Sequence, residues 1–455
     1  MRYNKILKNL FNLNRHHISP DTDLAVDKLC KTYGGNIEQY TDNKKLSWRI
    51  PPGYKVIKAE LKDSEGKLIC SHDNNPMHLW SYSPSFSGVL SYSELIEHIW
   101  VDFERPKAIL FHFRNQFRFW DPIWGFSLNV EQFESLDKNQ KFHVDIKTEF
   151  YQAPLKQFLF NKPLKKNNVI LVAHLDHYFQ LNDGLGSAIV NNEVVSELKG
   201  KLNNINICSL NSIEIIGSIY FLNEYNLNAS NTIAAISTNG LTLDNDFIFQ
   251  LSGKKDSIIN KLIKLYNLLY KSKSNLEEFR EGWGNDEIAF EVPGVSIPCA
   301  SVHRGPHKNY HTHLDNFSSF SDTSFNESKN LIKNLILDLD QNYRIEIKNW
   351  NGLICLAHPD INLYIEPSNV SGRSQKSNIE IISFFNELEK VEKEYLINNT
   401  DKIKNFSNKF QSYISNRNNT TIIDLAFEFS LPVTFLRKYF EILREKGFIS
   451  LVYNS

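Results

Sequence analysis

Apolar positions along this chain change their period from region to region, and each period predicts a different kind of element. In the first forty residues the spacing is helical, and "TDLAVDKLCKTYGG" opens on Thr/Asp and stops on glycine, as helix ends do. From about Leu46 to Phe150 the runs are short and alternating: "YKVIKAELKD", "GKLICSH", "AILFHFRN" and "KFHVDIKTEF". Aromatic and turn residues separate them, which predicts a small β-rich unit. From about Gln157 to Asn342 the apolar runs "VILVAHLD", "INICSLNSIE", "TIAAISTNG" and "SIPCASVHR" alternate with helical stretches such as "GSAIVNNEVVSELKG" and "FNESKNLIKNLILDLDQN". Such alternation predicts an α/β domain on a mostly parallel sheet. After an irregular segment, "AHPDINLYIEPSNVSGRSQKS", the chain ends in "TIIDLAFEFS", "PVTFLRKYFEILREKG" and "FISLVYNS". Helix, turn, helix and strand-like tail is the order of a winged helix.

These textures divide the chain. Residues 1–45 and 151–345 are expected to form one discontinuous α/β domain with helices on both faces of its sheet. Residues 46–150 are its β-rich insertion, and 346–455 a linker and winged helix. A chain of 455 residues is too long for one ordinary core. At 41% hydrophobic and 23% charged it is folded rather than disordered. Acids and bases nearly cancel, leaving net charge −1, so no global field argues for nucleic acid or an anionic membrane. No apolar run approaches the ~20 residues of a membrane span, and Arg2, Lys5 and Lys8 are followed by no secretory core. The five cysteines are scattered and lack any CxxC pair, which argues for a reduced cytoplasm rather than a disulfide framework.

The stretch "VAHLDHYFQLNDGLGSA" sets His174, Asp176, His177 and Asp183 at the carboxyl end of a core strand. Ionisable groups there are costly unless paired or bound to metal, and open α/β sheets build their sites at that edge. Three further pieces carry unusual polarity: Glu214 in "SIEIIGS", Asp286 and Glu287 in "GWGNDEIAF", and His311, His313 and Asp315 in "YHTHLDN". A sheet of this type can bring all four together. Imidazole and carboxylate suit zinc, which acidifies a bound water for attack on a carbonyl.

In their shared order, "HLD", "NDGLGSA", Glu before "GS", "NDEIAF…PGVSIP" and "YHTHLDN" resemble the zinc aminopeptidase superfamily, which includes the single-zinc glutaminyl cyclases. Over nearly its full length the chain resembles bacterial aminopeptidase-like proteins associated with surface-polysaccharide biosynthesis. In that group a β insertion precedes the zinc segment and a winged helix ends the chain. The resemblance implies metal ligands drawn from His174, Asp183, Glu214 and His311, with Asp176 orienting His174. It makes Glu214 either ligand or general base, because paired-zinc enzymes carry two adjacent glutamates where this chain has Ile213 and Glu214. An aspartate ligand of those enzymes falls near Ser237 or Thr238, so one zinc per chain is expected rather than two. Glu287 is then a candidate base, and Asp286 a candidate for gripping a substrate amine. The implied function is a zinc-dependent hydrolase of a peptide or of an amide on an amino sugar.

Plainer readings stand beside these. His177, His303, His307 and His313 read as surface or supporting histidines. Asp286 and Glu287 can be acids at a helix start. Asp315-Asn316 reads as a turn or cap, and "WDPIWGF" with Phe117 and Phe119 as core of the insertion. In "FLRKYFEILREKG", Glu441 and Glu445 interleave Arg437, Lys438, Arg444 and Lys446. That pattern favours a solvated face or a contact in a homo-oligomer over DNA binding. A zinc-containing protein of binding or assembly, and a winged-helix regulator, are the competing function classes.

Overall fold

The run Asn168–His174 is buried at every position, and its alternate residues supply two different cores. In the computed structural model, which describes residues 2–347, 353–364, 386, 388–417 and 419–453, this strand is central in an eight-stranded mixed sheet. Val169, Leu171 and Ala173 face the helices Arg2–Phe11, Pro20–Tyr33, Leu185–Leu198, Ile258–Leu269 and Asp322–Asp340. Ile170 and Val172 face Phe221, Leu222, Ala289 and Phe290 on the other side. Burial on both faces explains why the run is continuously apolar rather than alternating.

Four adjacent strands, Asn206–Ser212, Asn168–His174, Thr232–Asn239 and Cys299–Gly305, run parallel. Their carboxyl ends therefore open on one edge. Asp246–Gln250 joins antiparallel beyond Cys299–Gly305 and pairs parallel with Ser274–Glu277. On the opposite side, Leu155–Phe160 and Asn36–Tyr40 add antiparallel strands. The expected sheet, mostly parallel and covered by helices on both faces, is present.

The β-rich unit leaves and rejoins the chain between two neighbouring strands of that sheet. Asn36–Tyr40 precedes it, Leu155–Phe160 follows it, and the two pair with Tyr40 opposite Leu155. Its four antiparallel strands lie in the order Leu68–Ser71, Gly53–Lys62, Lys141–Tyr151, Phe86–Ser91. Leu61, Phe126, Phe142, Val144 and Ile146 form its core. Trp124 and Phe126 of "WDPIWGF" are buried as expected, but Trp120 is 67% exposed.

Helix ends follow local chemistry. Ser19 accepts the Thr22 N–H and Pro20 opens the helix Pro20–Tyr33, while Gly34 closes it at φ 72°. At the carboxyl end come the helices Lys390–Asn398, Thr400–Ser415, Ile422–Phe429 and Val433–Glu445. The last two make the expected helix–turn–helix, and the strand Ile449–Tyr453 follows. Its partner differs from a local wing: it pairs antiparallel with Tyr343–Ile347, which precedes all four helices. Most of the irregular stretch after Tyr364 lies outside the described residues. Among the described residues no helix is long and apolar enough to cross a membrane.

Candidate metal centre

His174 is the last residue of its strand, and the loop to the helix Leu185–Leu198 carries Asp176, His177 and Asp183. Gly184 turns the chain into that helix at φ +88°. A Cβ there would fall 2.6 Å from His174 Nδ1 and 2.5 Å from the His174 carbonyl. The glycine of "NDG" is thus what lets the loop close against the imidazole.

Asp183 is the hub. Its Oδ1 lies 3.4 Å from His174 Nε2, and its Oδ2 lies 2.9 Å from His177 Nδ1 and 3.3 Å from His311 Nε2. The rings of His174 and His177 are 4.3 Å apart, and those of His177 and His311 5.1 Å. His174, His177 and Asp183 offer ligand atoms all within 4.8 Å of one another. Buried and without hydrogen-bond partners are both ring nitrogens of His174, Nε2 of His177 and Nε2 of His311. Three imidazoles on one buried carboxylate, with nitrogens left over, is a donor set that fits a divalent transition metal. Burial alone would raise the Asp183 carboxyl, but His177, His174 and His311 hold it well below the usual carboxylate range. Burial would likewise depress His177, yet Asp183 lifts it to about 9.

The surroundings fix these groups. Asp176 Oδ1 lies 3.5 Å from His174 Nδ1, the orienting contact expected for it. Its Oδ2 lies 2.7 Å from Nε2 of His17, a residue of the amino-terminal segment. Beside it Arg15, fully buried, donates to the carbonyls of Leu10, His177 and Gln180. Asp315 accepts from the backbone N–H of Asp183 and from both nitrogens of Asn182. It is a buried support rather than a cap, and only Asn316 caps, accepting from Ser318. His311 sits at φ 55°, held from the inserted unit by the Phe111 N–H on its carbonyl at 2.9 Å. Phe113 and Tyr310 flank its ring at 4.9 and 3.9 Å.

Comparison with known proteins bears on this site directly. Residues 160–336 match the description Peptidase family M28, and residues 53–149 match a domain of unknown function, DUF2172. That α/β stretch is similar to peptidase family M28. A Clostridium acetobutylicum protein, provisionally named a polysaccharide biosynthesis protein with aminopeptidase-like domain, is 22% identical over 314 residues, covering 67% of this chain and 70% of its own. The crystal structure of a provisionally assigned peptidase from the same organism superposes with TM-score 0.76 at 19% identity, over 99% of this chain and 96% of the other. A zinc aminopeptidase from Bacillus subtilis shares the fold at TM-score 0.51 and 12% identity, over 74% and 94%.

Within residues 160–336 the acidic residues separate into distinct places. Glu214 is partly exposed beside the cluster, its Oε2 3.7 Å from His177 Nε2. Its neighbour Ile213 is buried in an apolar cluster with Ile18, Tyr40 and Leu155. Glu287, expected as a base candidate, is turned away: Arg280 Nη1 donates to it at 2.6 Å and the Asn285 N–H at 2.7 Å. Asp286, expected to grip substrate, accepts instead from Ile215 N–H at 2.9 Å and Ser218 Oγ at 2.6 Å. It braces the turn after Glu214, where Ile215 sits at φ 60°. Burial, helped by Glu214, raises the Asp286 carboxyl to about 7.

Sequence reasoning set His177 among the supporting histidines, whereas the fold brings it onto Asp183. Its spacing of three from His174 was the available signal. Asn239 was passed over. Its Nδ2 donates to Asp183 Oδ1 at 2.8 Å and its Oδ1 accepts the Gly184 N–H. It lies one residue beyond the Ser237-Thr238 position where an acid is missing. His303 and His313 stand outside the cluster, accepting from Trp283 and from the Ile109 N–H. His307 lies 3.5 Å from Asp315.

Proposed function

We propose that the protein is a zinc-dependent amide hydrolase of the aminopeptidase type, acting on a peptide or on an amide of an amino sugar. The observation that carries this reading is the convergence of His174, His177 and His311 on the buried carboxylate of Asp183. A peptidase-type hydrolase is what the M28 fold supports.

Zinc would be held by imidazole nitrogens of His174, His177 and His311 with Asp183, and would supply Lewis-acid polarisation of a carbonyl and acidification of water. The residues do the rest. Asp176, its Oδ1 3.5 Å from His174 Nδ1, would orient that ring, with Nε2 toward Asp183. Glu214 stands at the rim, and among the described residues its carboxylate is in no ion pair but the approach to His177, which supports it as the group that takes a proton and returns it to a leaving amine. Glu287 is committed to Arg280 and Asn285 and is left out of proton transfer. One metal is favoured over two because Asn239, an amide donating to Asp183 Oδ1, stands beside that carboxylate where a further acid would strengthen a second cation site. The polysaccharide name of the Clostridium acetobutylicum relative supports an amino-sugar amide, and the scattered free cysteines support a cytoplasmic setting.

The test is metal analysis of the full chain followed by assay on aminoacyl arylamides and N-acylated amino sugars. Zinc bound with amide cleavage supports the reading. Zinc bound with no turnover on any amide would favour a protein of binding or assembly. Absence of any transition metal after zinc loading would overturn both.

A further inference from the structure

A cavity of about 300 Å³ adjoins the cluster. One wall is Asn239 and His307, the residues that touch Asp183 and Asp315. The others are mainly apolar, built from Ile248, Trp283, Pro306 and Tyr310, with Glu277 among them.

Glu277 is the anomaly. Its Oε2 is buried and has no hydrogen-bond partner, although a buried carboxylate oxygen without a donor is a costly arrangement. The carboxylate is seated against Gly282, where a Cβ would overlap it. None of the cavity's own donors reaches it. The Trp283 indole N–H is given to His303 Nδ1 at 2.9 Å. The Arg304 guanidinium is spent on Ser328 Oγ, the Asn245 carbonyl and Glu327, with its face on Phe247. His303 adds no competing cation, because burial holds its imidazole down at about 3. A donor group entering the cavity can supply what this oxygen lacks. Apolar walls with an acid among them match an ammonium carried on an aliphatic body.

We propose that this cavity receives an amine-bearing group of the substrate, a primary ammonium recognised by Glu277. This deepens the hydrolase reading, on which it rests, by naming the class of residue beside the scissile amide. A basic amino-acid side chain and an amino sugar offer the same cation.

Calorimetric titration of the full-length zinc-loaded protein with small amides tests it without relying on turnover. Lysinamide and norleucinamide share their aliphatic arm and their α-amine and differ in the side-chain ammonium; glucosamine and glucose differ in the ring ammonium. In one of the two pairs the member with the extra ammonium should bind about tenfold or more tightly than its partner, and which pair shows it identifies the source. Glu277→Gln should erase that preference. Gly282→Ala, which crowds the carboxylate by a different route, should reduce it too. Equal binding within both pairs, no binding by any probe, or a preference that survives in Glu277→Gln would overturn the proposal. A Glu277-dependent preference in a protein that cleaves no lysyl or glucosaminyl amide would instead sink the hydrolase reading and leave the pocket standing.

Discussion

His17 Nε2 lies 2.7 Å from Asp176 Oδ2, and neither side chain has measurable exposure. The contact joins the amino-terminal segment to the loop that carries His174, across the whole inserted unit in sequence. Asp176 thereby has an imidazole on each oxygen, with His174 on the other side at 3.5 Å. His17→Ala should remove the imidazole that faces this buried carboxylate oxygen and free the orienting acid to shift. Zinc affinity, measured by chelator competition, should fall about 10–100-fold, the usual consequence of removing a partner behind a metal ligand. His17→Asn, which restores an N–H, should recover part of it. An unchanged affinity in the alanine variant would show that His174 and the Glu214 N–H suffice to hold Asp176.

Glu214 and Glu287 are predicted to separate cleanly. Glu214→Gln should retain zinc and lower amide turnover by roughly 10²–10⁴-fold, the worth of a general base. Glu287→Gln should keep most of its turnover. Its cost should instead appear in thermal unfolding as a loss of about 1–3 kcal/mol, since its carboxylate answers Arg280 and the Asn285 N–H in a buried setting. If Glu287→Gln is folded, metallated and inactive, the roles are the reverse of those argued here.

Much of the fold was legible because burial writes itself into periodicity. Asn168–His174 could be placed from its apolar run, and the inserted unit from its change of texture. The site was legible where residue type and order coincide, at His174, Asp176, Asp183 and His311. It was not legible where a role depends on direction. His177 and Glu287 are each one ionisable group in a polar stretch, and only the turn of the loop aims the first at Asp183 and the second at Arg280. His17 and Arg15 were hidden for another reason: their partners lie more than 150 residues away, and nothing local marks a histidine that supports an aspartate. The carboxyl-terminal strand pairs with Tyr343–Ile347 rather than with a neighbour, and a short strand-like tail carries no record of its partner.

Asn239 makes the metal count testable. Its amide donates to Asp183 Oδ1 at 2.8 Å, and a donor cannot also be a ligand through the same nitrogen. The wild-type chain should therefore hold about one zinc. Asn239→Asp replaces the donor by a carboxylate beside Asp183, two acids whose repulsion a second cation would relieve. Elemental analysis should show the metal content rising toward two per chain at saturating zinc. Two zinc ions already present in the wild-type protein would remove Asn239 from this argument.

Asp338, on the helix Asp322–Asp340, is buried, accepts from Tyr266 Oη at 2.9 Å, and faces Glu392 of the carboxyl-terminal helices. Burial, with the nearby Glu392 adding to it, raises its carboxyl from 3.8 to about 7. A carboxyl whose pKa is higher folded than unfolded binds its proton more tightly in the fold. Its contribution is therefore complete below pH 3.8 and is lost as the pH rises through about 7. Between those limits one such proton changes stability by up to about 1.4 kcal/mol per pH unit. Urea unfolding followed between pH 5.5 and 8 should show the midpoint falling with rising pH in the wild-type protein, by roughly the equivalent of 1–3 kcal/mol. Asp338→Asn keeps the shape and has no proton to lose, so its midpoint should be flatter over the same range and higher than wild type at pH 8. Parallel pH profiles for the two proteins would mean that Asp338 is ionised in the fold and that the contact with Glu392 is not repulsive.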